Sequence, residues 1–443
     1  MRARNAMSWS FVLLAWLGFV SLAVGGEDER YTYSAEYQVR VDEADPTVAH
    51  VRWKLAGIDE IVRLRLDLSR RRLYDVSGTG RLEQTGDELV WTPRAPYAHL
   101  EYKVPLRQFR GSKERYDSYA GDDWVITRAK ALFPRTRVTF QTDIEPDPRG
   151  RTSLMFRLPR GWRAYAAMKR TGQHSFRPGS GGRVLERPKG WIALGKGLRV
   201  SKRRIGKTFV TVARAPGSRW EAEAALDLYE KTLPEMRRIL LEVPERLLIV
   251  SGSDPMWRGG ISGFQSFYVH GDRPLRTPDR TSPALHELFH IIAPFRPGAD
   301  GEWITEGLAE YYSLELQHRV GALKERDFQR GLRLFARYGE WRTNLAAERS
   351  LAATNNSAPL VVHAIDLAIR KRTRNERSLD DVVRELSRSH EEVTTSGFLR
   401  AVNAVSGYNF TSFFQRHVYA GIPPELPGEA DPRRQDDRKP AQS

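Results

Sequence analysis

Residues 285–290 read LHELFH: two histidines four positions apart, with a glutamate directly after the first. On a helix, His286 and His290 lie one turn apart on the same face, so both can direct neutral imidazole nitrogens at one ion about 2 Å away. Glu287 projects at a different angle. It is poorly placed as a third ligand but can reach a water on that ion. A zinc ion that acidifies a water, beside a carboxylate that takes its proton, needs this arrangement. Two helical histidines can equally be a half-buried, hydrogen-bonded pair, so a third ligand decides. The stretch DGEWITEGLAEYYSLEL offers Glu306, with fifteen residues between it and His290, and Glu310 one turn further on the same face. Stacked carboxylates repel on a bare surface. They are explained if Glu306 ligates a cation and Glu310 orients a ligating histidine from behind. Trp303, Ile304, Leu308, Tyr311 and Tyr312 argue for burial of this stretch, and Gly307 would allow another helix to approach closely. We expect a Zn2+ site of His286, His290 and Glu306, with Glu287 as the base and Glu310 supporting a ligand.

The elements that must position these residues are legible on both sides. Ser282 is a good N-cap, Pro283 suits the first helical position, and Pro294 and Pro297 end the segment. The Pro- and Gly-rich PFRPGADG lets the chain turn back toward a second helix. Upstream, SRWEAEAALDLYEKTLPEMRRILLEV carries Leu226, Tyr229, Leu233, Met236 and Leu240 at helical spacing, with Pro234 a place for a kink. RLLIV follows as a short strand, and ISGFQSFYVHGD reads as another. From Tyr31 to about Arg214 the period is two instead, as in YSAEYQVRVD, IVRLRLDL, SLMFRL and KTFVTVARA. The fold class expected is α+β: a signal peptide or anchor over 1–26, an antiparallel β-rich domain over 27–216, a mainly helical catalytic domain over 217–425, and a Pro- and charge-rich disordered tail over 426–443.

Composition narrows the chemistry further. The chain has 443 residues and no cysteine, which excludes disulfides and thiolate ligands. Its net charge of +16 suits an anionic membrane or envelope surface as a partner. No nucleic-acid motif and no basic stripe interleaved with aromatics accompanies that charge, so nucleic acid is not expected. Arg2 and Arg4 precede an uncharged run ending near Ala23-Val24-Gly25, the order of a secretory signal; an uncleaved anchor is the competing reading. Either way the remainder is expected to be exported, periplasmic or secreted.

His-Glu-x-x-His followed by Trp-x-x-Glu-Gly resembles the signature of the gluzincin metallopeptidases, the thermolysin-like class. More narrowly, WITEGLAEYY, LVVHAIDLAIRKRTRNERSLDDVVREL and VSGYNFTSFFQRHVYAGIPPELP resemble the glycyl-aminopeptidase-type family, number sixty-one among metallopeptidases. The likeness runs from about residue 120 to 427 and is strongest from 255. It implies a thermolysin-like catalytic domain in which His286, His290 and Glu306 bind zinc and Glu287 is general base and proton shuttle in peptide hydrolysis.

The chain departs from that family in three places. Where the family carries Gly-Gly-Leu-Glu-His beside the cleft, this chain reads GGISGFQS, which puts Ser262 at the position of the glutamate that reads a substrate's free amine. A tyrosine that stabilises the oxyanion is replaced locally by ATNNSAPL. Asn355 and Asn356 stand nearest there, with His363 a further candidate that reads more readily as a core residue. A C-terminal peptide-binding domain of the PDZ type is not expected. The remaining histidines show no ligand spacing, His270 alone standing close to the presumed substrate strand. The expectation is an exported zinc metallopeptidase acting on peptides or proteins, with doubtful aminopeptidase activity. The alternative is a zinc-retaining, weak or inactive peptide-binding envelope protein.

Overall fold

A computed structural model describes residues 33–69, 73–111, 114–141, 149–179, 185–350 and 352–425. The N-terminal apolar segment and the Pro-rich tail lie outside the described residues. None of the described helices is long and apolar enough to cross a membrane.

The N-terminal half is built of three sheets. A seven-stranded sheet centres on Tyr33–Val41, Val48–Ala56 and Tyr97–Pro105. Its central strands alternate, with Tyr37, Val39, Val51, Trp53, Leu100 and Tyr102 buried and most of their neighbours more exposed, although Gln38 between two of them is buried as well. That alternation is the pattern of a half-buried strand. Pairing is antiparallel except at one seam, where Tyr33–Val41 runs parallel to Gly150–Arg157. A four-stranded antiparallel sheet shares this core through Leu64, Leu66, Leu89 and Trp91.

A five-stranded sheet, whose central members are Trp124–Arg128 and Trp191–Gly195, connects to the second half. Ile126, Trp191 and Ala193 from this sheet form one buried cluster with Leu248, Val250 and Tyr268. The indole of Trp191 donates to the carbonyl of Ile261 at 3.1 Å, and its backbone N–H donates to the Ser266 hydroxyl at 2.8 Å.

The second half opens on a mixed sheet ordered Arg199–Ile205, Thr208–Arg214, Arg246–Gly252, Ser266–His270, Gly260–Gly263. It therefore starts at Arg199, inside the span expected for the N-terminal domain. Period-two patterning identifies a strand but not the sheet it joins. ISGFQSFYVHGD, expected as one strand, is a tight hairpin: Gly260–Gly263 pairs antiparallel with Ser266–His270, and Gln265 holds φ of 50° at the turn. Gly260–Gly263 is the free edge of the sheet.

Helices pack on this sheet and on each other. Ala222–Leu240 runs through Pro234 without interruption. Pro283–Ile292 (the histidine helix) and Glu302–Arg319 (the carboxylate helix) pack together, with Ala358–Arg372, Leu379–Ser389 and Thr395–Ser406 beyond. The carboxylate helix is buried on nearly every side, from Trp303 and Ile304 to Tyr311, Tyr312 and Gln317. Such a helix sits at the centre of a domain rather than on its surface. Gly307 explains one of its contacts: a Cβ there would lie 3.0 Å from the Cβ of Ala358.

Candidate metal centre

The histidine helix begins where Ser282 accepts from the backbone N–H of Leu285 and Pro283 occupies the first turn. It ends at Ile292, ahead of Pro294. Ala284, Leu285, Leu288, Phe289 and Ile292 are buried, which turns His286 and His290 the other way, toward the carboxylate helix. The loop between the two helices is pinned by buried Phe295 and by pairing of Arg296–Pro297 with Glu392–Val393. The chain thus returns to present Glu306 to both imidazoles.

The donor atoms converge. The Nε2 atoms of His286 and His290 are 3.1 Å apart. The Glu306 carboxylate straddles them, with Oε2 3.3 Å from His286 Nε2 and Oε1 3.3 Å from His290 Nε2. Two ligands bound at roughly 2.0–2.1 Å to a tetrahedral ion stand about 3.3 Å from each other. The three donors therefore have the mutual spacing that zinc requires, and they are two nitrogens and one oxygen, a set zinc accepts. Among the described residues they form the one group of three such side chains able to hold a metal.

Glu310 lies one turn beyond Glu306 and meets His286 from the other side, with its carboxylate 2.7 Å from Nδ1. This contact makes Nδ1 the protonated nitrogen and leaves the Nε2 lone pair for an ion. Burial opposes protonation of His286, but hydrogen bonds to Glu306 and Glu310 outweigh it and hold its pKa well above the usual value. Burial would likewise raise the Glu306 pKa, yet the two histidines keep it well below the carboxylate range. Both shifts describe a site built to stabilise positive charge.

Glu287 reaches the edge strand, where a Cβ on Gly260 would stand 2.6 Å from its Oε1, and it lies close enough to His286, His290 and Glu306 to feel their charge. Its pKa is raised, chiefly by burial, while His286 and His290 pull the other way. Close by is a residue that the sequence showed only as part of an apolar helix face. Tyr229 is fully buried, its hydroxyl has no hydrogen-bond partner, and burial with the Glu287 charge pushes its phenol up.

A cavity of about 220 Å³ opens beside the cluster, lined by Ser262, His290, Phe295, Arg296 and Glu306 among others. Ser262, at the position where the family resemblance implies an amine-reading glutamate, thus reaches the site. Arg296 falls in a loop whose sequence marks only a turn; its position between the two ligand helices is the signal available for it. Asn355 bonds its neighbour Thr354 at 2.8 Å instead of the ligand cluster. His363 is a core residue: it packs on Tyr311 and Phe328, neither ring nitrogen has a partner, and burial lowers its pKa to about 4. His270 is also buried, with Nδ1 accepting from the backbone of Asp272 at 3.2 Å.

The overall architecture is similar to that of the M1 zinc metallopeptidases, a β-rich N-terminal part followed by a domain with a mixed sheet and helices. An aminopeptidase N family protein from Idiomarina loihiensis superposes with a TM-score of 0.69 at 14% identity, over 88% of this chain and 77% of that one. The M1 zinc metallopeptidase of Deinococcus radiodurans gives 0.57 at 15% identity, over 90% and 95%. The Legionella pneumophila aminopeptidase A gives 0.54 at 13% identity, over 88% of this chain and 50% of that one. No protein-family model matches the sequence, and no curated protein matches it. At such low identity the likeness is one of fold.

Proposed function

We propose that the protein is an exported zinc-dependent metallopeptidase of the gluzincin type. The observation that carries this reading is the convergence of His286, His290 and Glu306 at ligand spacing, with the half-buried Glu287 carboxyl beside them. A fold shared with zinc peptidases supports it. A zinc ion bound there supplies Lewis acidity, lowering the pKa of a bound water and polarising a scissile carbonyl. Glu287 accepts the proton of the attacking water and delivers it to the leaving amine. Glu310 holds the His286 ring in the ligating tautomer. The free edge at Gly260–Gly263 pairs with an extended peptide by backbone hydrogen bonds, which suits a peptide or protein as substrate.

Within the class, the motif likenesses favour the glycyl-aminopeptidase-type family, with a thermolysin-like catalytic domain. Ser262 beside the cluster argues against recognition of a free amine, because the cavity there offers no carboxylate other than the ligand Glu306. Export rests on the signal-like segment at the N-terminus, and the net charge of +16 suits an anionic membrane or envelope surface.

The test is a digest of a peptide library by the zinc-loaded protein and by Glu287→Gln. The substitution should keep the metal and lower kcat by about 10²–10⁴-fold, the contribution typical of general acid–base catalysis. Undiminished hydrolysis in Glu287→Gln would sink the proposal, as would a zinc-loaded wild type that cleaves nothing.

A further inference from the structure

The cavity beside the ligand cluster carries a charge that hydrolysis does not use. Six of its lining residues matter here: Ser262 from the edge strand, His290 and Glu306 from the cluster, and Phe295, Arg296 and Pro297 from the loop joining the ligand helices. At about 220 Å³ it is smaller than the roughly 300–1,000 Å³ of a drug-sized site, a space for one side chain or one chain end. Apart from the metal ligands, Arg296 is the one charged residue lining it.

Arg296 is exposed and makes no ion pair with any described residue. Glu392 faces it across the two-residue strand pair, but their side chains do not form a salt bridge. Its backbone is nonetheless well fixed. Phe295 on one side is 5% exposed, Pro297 follows it, and the next residue, Gly298, donates to the carbonyl of Val393 at 2.9 Å. A permanently charged guanidinium is thus offered from a held segment of chain, beside the neutral hydroxyl-bearing Ser262.

Guanidinium presents a planar fork of donors that matches a carboxylate. A free amine at this place would meet like charge, and a neutral side chain would gain no charge-assisted hydrogen bond from the guanidinium. We infer that this cavity is a specificity pocket for a carboxylate of the substrate, held by Arg296. The carboxylate belongs to an acidic side chain next to the scissile bond or to the substrate's own C-terminus. This inference rests on the peptidase reading above and adds to it the charge of the group recognised.

The experiment uses two sets of matched peptides on the zinc-loaded full-length protein. One set differs by Glu against Gln at positions flanking the scissile bond; the other differs by a free C-terminal acid against an amide. Hydrogen bonds to charged groups are worth about 1.5–3 kcal/mol, so kcat/KM should favour the acid by roughly 10- to 100-fold in one of the sets. Which set responds tells the side chain from the chain end. The ratio should collapse toward one in Arg296→Gln and return in part in Arg296→Lys. The same peptides, labelled with fluorescein, are titrated onto Glu287→Gln, where affinity is read without cleavage. Equal values for acid and neutral members in both sets, binding of neither, or a preference that survives Arg296→Gln overturns the inference. Failure to cleave any peptide, with acid preference still seen in binding, overturns only the peptidase reading.

Discussion

Glu310 shows how much of the site's chemistry lies behind the ligands. Its carboxylate is 2.7 Å from His286 Nδ1, on the face of the ring away from His290 and Glu306. Removing it frees the ring to rotate or to take the other tautomer, which would put a proton where a metal needs a lone pair. We expect Glu310→Gln to weaken zinc binding about 10- to 100-fold while leaving the fold intact, measured by competition with a chromogenic chelator. Unchanged affinity would make Glu310 a packing residue. That His286, His290, Glu306 and Glu310 come together was legible in the sequence because a helix turns spacing into direction, and each pair sits four apart. Tyr229 and Arg296 were not. The first looked like any aromatic on an apolar face, and the second sits in a loop, where no periodicity fixes where a side chain points.

At the scale of elements, the close approach of the histidine helix to the edge strand sets where the Glu287 carboxyl can stand. Gly260 has no Cβ, and Glu287 Oε1 occupies the place a Cβ would need. Gly260→Ala must therefore push the carboxylate or the strand away. Because a misplacement of about 1 Å can cost on the order of 100-fold, kcat should fall by roughly that factor while zinc content stays at the wild-type level. A variant with full kcat would show that the contact does not position Glu287. The hairpin that carries Gly260 was hidden in the sequence because its turn, Phe264-Gln265, contains none of the residues that usually mark one. Gln265 takes the left-handed conformation regardless, held by the pairing of Gly263 with Ser266 and by the Trp191 N–H that docks on the Ser266 hydroxyl.

For the molecule as a whole, the β-rich half is a brace for the site rather than an appendage. Trp191 belongs to a sheet of the first half, yet its ring lies against Tyr268 and its indole N–H holds Ile261 of the edge strand. The cluster of Ile126, Trp191, Leu248, Val250 and Tyr268 continues this contact between the two halves. Two-domain organisation was readable from the change of hydrophobic period, from two to about 3.6. The seam was not, because Arg199–Ile205 and Thr208–Arg214 carry the same alternation as the strands before them but pair onward with Arg246–Gly252. The parallel pairing of Tyr33–Val41 with Gly150–Arg157 was equally unreadable, since partners so far apart in the chain leave no local trace.

The proposed hydrolysis depends on one ion lying between two helices, and anomalous X-ray scattering at the zinc absorption edge, from crystals of the zinc-loaded protein, addresses this directly. A single strong peak should appear within about 2.0–2.2 Å of His286 Nε2, His290 Nε2 and a Glu306 carboxylate oxygen. A metal bound elsewhere, or no peak at this cluster despite saturating zinc, would contradict the metal centre and the peptidase built on it.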